Sequence, residues 1–545
     1  MLEESPAKKA VLESNAGNDV SYSSRRASKN NRRSSIVIRR ESIQEYNLGP
    51  MRLSSKFDSL DTLAEADQEE EQAEQHQDDS LGTIAEGREE DGGDKLVDTL
   101  DTILDKLHIA DEAGSSLGPH LKQLLWECGQ DATELGGIPS LDSFLSQNAP
   151  GSSLSIRKVG EGTFGEAFKL NNNLVLKVVP IDGEVLVNGE KQKTSEELYA
   201  EVVIHNCLKR LRCDGSMIQE EGCGENFCDS FIETHGISVC RGRYAKCLVE
   251  AWESWDECHQ SENDHVGIFQ DDQLYIVFVY SDGGEDLEAF QFRTFDEIRS
   301  MLQQVTMALA IAEEELKFEH RDLHWGNILL RRTPRSADTS SSSSSSLAPS
   351  DDSQKLQYVL RGIPILVDTS GLQVQIIDFT LSRLEAIPLS GRSPTKVAAA
   401  GEGVEGNKKE NKEENKEDDS FVAFCDLSQD EWLFKGPKGD IQAETYRKML
   451  KCVNMESEGN WAEFHPQNNV HWLTYLVDCV LMNKMKGQGS DDGDNDSPLD
   501  ALDLTSDQSR QLRQFRKACM KGASSHDLVW HDLFKDTWEV IRSRA

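Results

Sequence analysis

The sequence predicts an α+β molecule of two lobes, a small β-rich lobe followed by a larger and mainly helical one, with a disordered N-terminal arm. Three observations predict it. A glycine-rich turn at Gly160 to Gly165 is followed by two strand-like runs, Glu166 to Leu170 and Leu174 to Val179, around the turn Asn171-Asn172-Asn173. About fifty residues separate the polar run His320-Arg321-Asp322-Leu323-His324-Trp325-Gly326-Asn327 from an apolar strand that leads into Ile376-Ile377-Asp378. Residues 1–120 are poor in aromatics and rich in Ser, Gln, Glu and Asp, so they bury too little apolar surface to offset the entropy of ordering.

A chain of 545 residues could hold several domains, but composition supports one folded unit that begins near Leu121. Residues 121–149 read as an extension packing on it, 150–281 as the small lobe and 282–545 as the large lobe. Within the arm, residues 1–57 are net basic and residues 58–110 carry acidic runs such as Asp67 to Glu71 and Glu89 to Asp91. Arg25-Arg26-Ala27-Ser28, Arg32-Arg33-Ser34-Ser35 and Arg39-Arg40-Glu41-Ser42 repeat at a spacing of seven. They suit a basophilic kinase, an import receptor or simple solvation. Leu96 to Ile109 has the pattern of a short amphipathic helix, a candidate docking element.

The formal net charge of -39 attracts cationic partners and repels nucleic acid, so direct DNA binding by the folded region is not expected. No secretory signal is recognisable and the longest apolar run is about seven residues, far short of a membrane span. The twelve cysteines are therefore expected to be reduced. Cys213, Cys223, Cys228 and Cys240 cluster in sequence but form no Cys-x-x-Cys pair, so they read as ordinary thiols.

In the small lobe the glycines Gly160, Gly162 and Gly165, with Glu161 among them, let the backbone approach phosphates closely. A dinucleotide site would open a helix at the third glycine. The hairpin that follows instead makes this a lid over phosphates. Lys177 lies on the second strand, where a phosphate-binding lysine belongs, and needs a carboxylate partner. Thr194 and Glu197 have the spacing of a capping box, and Glu197 and Glu201 lie one turn apart on the helix it opens. Spacing alone leaves both open. Leu274 to Tyr280 is an apolar strand ending at a hinge, Ser281-Asp282-Gly283-Gly284. Tyr280 reads as its last buried residue, with Ser281 and Gly283 offering main-chain contacts to adenine.

In the large lobe, the spacing from Asp322 to Asn327 and on to Asp378 is that of a protein kinase. There the first Asp accepts a hydrogen bond from the substrate hydroxyl, while Asn and the second Asp hold magnesium. The sequence thus predicts a protein kinase-like fold using ATP and Mg2+. A solvated polar turn beside a buried strand would explain neither the spacing nor the paired carboxylates.

With these residues together, the chain resembles the haspin family of atypical protein kinases. The supporting strings are Gly160 to Phe168, Phe318 to Asn327, Gly371 to Val374 with Asp378 to Leu384, Phe424-Cys425-Asp426, Trp461 to His465 and Asn469 to Leu473. Thr380 stands where other kinases have glycine, and no Ala-Pro-Glu anchor follows; haspins are similar in both respects. The resemblance covers about residues 120–545. It implies Glu201 as partner of Lys177, Asp322 as catalytic base, Asn327 and Asp378 as metal ligands, and His324 as support of the catalytic loop or substrate.

The resemblance further implies phosphorylation of a threonine near the N-terminus of histone H3 during mitosis, on chromosomes in the nucleus, with the cytoplasm as a second location. Asp286 would touch both ribose and substrate, while Glu161, Asp430 and Glu431 would supply acid for the basic tail. Trp432 stands where the family often has another acid, Ala167 replaces a commoner valine, and Phe379 a frequent tyrosine. A kinase for another basic peptide and a catalytically weak chromatin-binding scaffold are the alternatives, and the intact catalytic set disfavours the scaffold. Low-complexity insertions near 335–353 and 386–419 and an acidic loop from Gly487 to Asp496 read as solvated. The last lacks the glutamate that closes an EF-hand. A monomer is expected.

Overall fold

The computed structural model describes residues 117–131, 133–148, 155–170, 173–212, 225–333, 355–386, 421–486, 502 and 504–541, with the short strand Val37–Ile38. The Arg-Arg-x-Ser repeats, the 96–109 segment, Cys213 and Cys223, both low-complexity insertions and the acidic loop lie outside the described residues.

The small lobe is built on a six-stranded antiparallel sheet in the order β1-β2-β3-β4-β6-β5. Its strands are β1 (Val37–Ile38), β2 (Ile156–Glu161), β3 (Glu166–Leu170), β4 (Leu174–Ile181), β5 (Thr234–Arg241) and β6 (Leu274–Ser281). The β2–β3 hairpin shifts register between Lys158 and Gly160, where the glycine-rich turn begins. The β3–β4 turn reverses at Asn173, whose φ of 63° suits asparagine better than most side chains. From the N-terminal arm, Val37 and Ile38 pair with Glu161 and Gly160. β2 is otherwise an open edge whose unpaired backbone groups accept a strand, and Ile36-Val37-Ile38 is a β-branched run fitted to supply one.

Alternation along β6 determines what covers each face of the sheet. Ile276 and Phe278 point to one side, against α1 (Pro119–Glu127) and α3 (Ser195–Arg210), where Leu124, Leu125, Leu198 and Val202 meet them. Tyr275, Val277 and Val279 point to the other, against α2 (Leu141–Asn148) and α4 (Lys246–His259), where Phe144, Leu145, Leu248 and Trp252 close the layer. The segment before the sheet thus packs on both of its faces, with Gln130 tied to the backbone of Val239 through both amide atoms. α3 starts at the capping box of Thr194 and Glu197.

The large lobe is organised around α5 (Phe295–Leu316), which is buried almost all round and ends at Lys317 with φ 50°. Beside it lie three small sheets: β7 (Glu285–Asp286), β8 (Ile328–Arg332) and β11 (Leu372–Ile376); β9 (Lys355–Leu360), β10 (Ile363–Asp368) and β14 (Trp538–Val540); and β12 (Arg383–Ala386) with β13 (Phe421–Phe424). Helices α6 (Ile441–Ser457), α7 (Gln467–Lys486) and α8 (Ser506–Lys521) complete the lobe, with Trp472, Leu476 and Phe515 fully buried. Among the described residues no helix is long and apolar enough to cross a membrane. Cys228 and Cys240 are buried free thiols, each pushed up to about 12 by burial, in keeping with a packing role.

Candidate active site

β4 and α3 place the first charged pair. Lys177 Nζ lies 3.0 Å from Glu201 Oε1 and 3.9 Å from Asp378 Oδ1. Glu197 is committed elsewhere, its carboxylate accepting the Thr194 N–H at 2.7 Å in the exposed cap. The structure therefore brings Glu201 to the lysine and leaves Glu197 outside. Burial by itself draws the Lys177 pKa down, but Asp378 and Glu201 outweigh it and hold the ammonium charged. Burial likewise pushes Asp378 up, yet Lys177 and the hydrogen bonds from Thr380 bring it to about 2.

Thr380 adds a link that glycine could not make. Its hydroxyl lies 2.7 Å from Asp378 Oδ1 and 3.2 Å from Glu201 Oε2, so it sits between the two acids that flank the lysine and donates to Asp378 at the shorter distance. Phe379, beside it, sits edge-on to His205 of α3, at 4.8 Å between ring centroids, and to His320 at 5.7 Å. Packing through these rings connects α3 to the loop that carries Asp322.

Between the lobes a cleft is lined by Ala167 and Val175 above, Leu329 and Ile377 below, and Ile232, Tyr280, Ser281 and Gly283 along the hinge. A Cβ at Gly283 would come within 2.5 Å of Leu329 Cδ1, so only glycine leaves this wall its shape. One hinge expectation needs correction. Tyr280 is half-buried, because its ring lines the cleft while its hydroxyl meets His205 Nε2 at 3.1 Å. The Ser281 N–H donates to Glu233 O at 2.9 Å, which leaves its carbonyl and the main chain of Gly283 for a planar ligand.

The loop 318–327 is set by its own polar groups. Buried His320 donates from Nε2 to Ile377 O at 3.1 Å and accepts the Asp322 N–H on Nδ1 at 3.3 Å. Burial holds this ring neutral by lowering its pKa to about 4. Asn327 donates to Asp322 O at 2.8 Å, and its buried Oδ1 has no hydrogen-bond partner. That orphaned oxygen, with the Asp378 carboxylate, makes an all-oxygen donor set of the kind a hard divalent cation takes, so the residues fit Mg2+. His324 accepts the Gly326 N–H on Nδ1 at 3.0 Å, with Nε2 3.9 Å from Asp322 Oδ1. Asp322 itself is buried and held well above the ordinary carboxylate range by desolvation, against the opposing effect of a hydrogen bond donated by the Tyr446 hydroxyl. Arg321 is fully buried, paired with Glu319 and donating to Trp461 O at 2.7 Å.

Of the expected substrate acids, Asp286 lies on β7 against Leu329, its Oδ1 accepting the Ala289 N–H and its buried Oδ2 lacking a hydrogen-bond partner. Burial raises it to about 6. Asp430 and Glu431 sit on a surface turn, where Asp430 accepts the Trp432 indole N–H at 3.0 Å and Glu431 pairs with Lys435 at 2.6 Å. Glu161 departs from expectation. Its carboxylate accepts from Lys158 Nζ at 2.7 Å, Ser261 Oγ at 2.6 Å and the Glu262 N–H at 3.1 Å, so it braces the glycine-rich turn and is not offered to a substrate amine.

Sequence reasoning missed the rest of that brace. Asn263 donates to Gly162 O at 3.1 Å and Asn188 to Thr163 O at 2.8 Å, holding the turn from segments with no recognisable pattern. It also missed Tyr446, which lies 124 positions beyond Asp322 on an unremarkable helix.

Comparison with known proteins agrees with this geometry. A family model described as "Haspin like kinase domain" matches residues 140–529. The chain is 39% identical over 382 residues to a protein named serine/threonine-protein kinase haspin homolog from Arabidopsis thaliana, covering 70% of this chain and 51% of the relative. It is 35% identical to serine/threonine-protein kinase haspin from Mus musculus, covering 70% of this chain and 41% of the relative. The protein of the same name from Bos taurus is also 35% identical, covering 76% of this chain and 43% of the relative. The chain thus spans about half the length of the relatives it matches. The extent of these matches, on a chain whose cleft gathers Lys177, Glu201, Asp322, Asn327 and Asp378, shows that it belongs to the haspin-like kinase family.

Proposed function

We propose that this protein is an ATP- and Mg2+-dependent protein serine/threonine kinase that phosphorylates a threonine near the N-terminus of histone H3, on mitotic chromosomes in the nucleus. The observation that carries the kinase reading is the buried, orphaned Oδ1 of Asn327, whose amide donates to Asp322 O in the loop of the proposed base, with Asp378 of the Lys177 and Glu201 cluster near enough to Asp322 to raise its pKa. When bound, ATP supplies the transferable γ-phosphoryl group, and Mg2+ neutralises charge between phosphates. Lys177, fixed by Glu201, binds phosphate oxygens; Asn327 and Asp378 hold metal; Asp322 accepts the hydrogen bond of the substrate hydroxyl and orients it for attack. His324 supports that loop.

The histone-tail reading rests on the family resemblance and on acid where a cationic tail would enter. Asp286 carries a buried oxygen still lacking a hydrogen-bond partner, and Asp430 and Glu431 lie on an exposed turn. Trp432 is 44% exposed, and its ring face suits a cationic side chain as an acid would. The test is steady-state kinetics with radiolabelled ATP on H3 tail peptides with a free or an acetylated N-terminus. Acetylation is expected to raise KM strongly, since a close charge pair desolvated in a cleft matters by a few kcal/mol. Equal kcat/KM for the two peptides would leave a kinase for another basic peptide. No transfer to any peptide would leave the scaffold.

A further inference from the structure

Away from the catalytic cleft, α6 and the loop after it bring three metal-ligating side chains together. Cys452 and Glu456 are four residues apart on α6 and so lie one above the other on one face. His465 returns to that face from the loop between α6 and α7. One ligand atom from each, sulfur, carboxylate oxygen and ring nitrogen, lies within 4.8 Å of the other two. We infer that Cys452, Glu456 and His465 form a zinc site that ties this loop to α6 behind the catalytic loop.

Three features support zinc. The first is geometric. Bond lengths to zinc of about 2.3 Å for sulfur and about 2.0 to 2.2 Å for nitrogen and oxygen give tetrahedral ligand-to-ligand edges of about 3.3 to 3.6 Å. The cluster needs only small movements to reach those edges, and Glu456, its exposed member, is free to make them. A water completes the fourth position on that open side.

The second is the orientation of the imidazole. His465 is 3% exposed, and its Nε2 lies 2.9 Å from Ser457 Oγ. That hydroxyl is within donating distance of Val453 O and Asn460 O, at 3.0 and 3.1 Å. When Ser457 spends its one proton on either carbonyl it accepts from Nε2–H, and Nδ1, 2.9 Å from Glu456 Oε2, faces the carboxylate at a place that zinc or a ring proton can fill. A second hydrogen bond that fixes the tautomer is how zinc-binding histidines are held.

The third is chemical. Sulfur with imidazole and carboxylate suits zinc and disfavours magnesium or calcium. Zinc would displace the thiol proton. The site also bears on the catalytic loop, because the His465 N–H donates to Glu319 Oε1 at 2.8 Å and Glu319 holds Arg321.

The test uses the full chain, stripped with a chelator and dialysed against zinc without nucleotide, with bound metal counted against Cys452→Ser. Wild type should hold one more equivalent than the variant. With cobalt in place of zinc, it should show a thiolate charge-transfer band that Cys452→Ser lacks. Glu456→Gln, at an exposed position that leaves packing alone, should weaken zinc binding at least tenfold. Zinc at about 100 times its Kd should raise the wild-type melting temperature by roughly 5 °C and that of Cys452→Ser by much less. Equal metal content in wild type and Cys452→Ser, or a wild-type cobalt spectrum without the band, would overturn the site and leave an ordinary His465–Glu456 ion pair.

Discussion

Tyr446→Phe isolates one hydrogen bond to Asp322, the proposed catalytic base. The tyrosine is 5% exposed, and its ring stands edge-on to Trp472 at 5.1 Å, so phenylalanine keeps the packing and removes only the hydroxyl that donates to Asp322 Oδ1. A hydrogen bond to a charged group contributes about 1.5 to 3 kcal/mol. Its loss should therefore raise the Asp322 pKa further above the ordinary carboxylate range, where burial already holds it. The base works ionised, so activity is lost as pH falls through its pKa. The acid limb of a kcat/KM against pH profile should therefore move upward, with a smaller change on the alkaline side. Stability supplies a second reading. The variant destabilises the ionised Asp322, so the gap in melting temperature from wild type should narrow as pH falls and the group protonates in both proteins. An acid limb that stays in place would refute the claim that Tyr446 tunes the base.

Asp322→Asn should lower turnover by roughly 10²-fold or more while ATP still binds, whereas Asp378→Asn should weaken magnesium-dependent nucleotide binding; near wild-type turnover in Asp322→Asn would remove the assigned base. Because Arg321 is buried against Glu319 and Trp461, it has no part in receiving an activation-loop phosphate. Phosphatase treatment should therefore cost little activity, and a large loss restored by phosphorylation between Leu381 and Asp426 would contradict this. Asp286, raised to about 6 by burial, must ionise to hold a cationic tail. KM for such a peptide should rise about tenfold per unit as pH falls below 6, and Asp286→Asn should abolish that dependence; a wild-type KM indifferent to pH across this range would exclude Asp286 from peptide binding.

What the sequence determined by itself was local or motif-bound. The strands around Asn173, the cap at Thr194 and the apolar run into the hinge depend on short-range pattern and turn chemistry, and these elements stand in the structure as read. The spacing from Asp322 to Asn327 was legible because one loop must hold both side chains. Tertiary structure decided what depends on distant partners. Glu197 and Glu201 are equivalent in a helical pattern, and only the approach of α3 to β4 gave Lys177 its partner. Glu161 carries the charge of a substrate acid, but its contacts with Ser261 and the Glu262 N–H exist only once α4 has packed beside β2. Tyr446 and His465 belong to the same class. Each is an ordinary residue of its own segment, and each acquires its chemistry across more than a hundred positions, Tyr446 from Asp322 and His465, through its backbone, from Glu319. Such contacts are set by how helices and sheets close on one core, and no local periodicity encodes them.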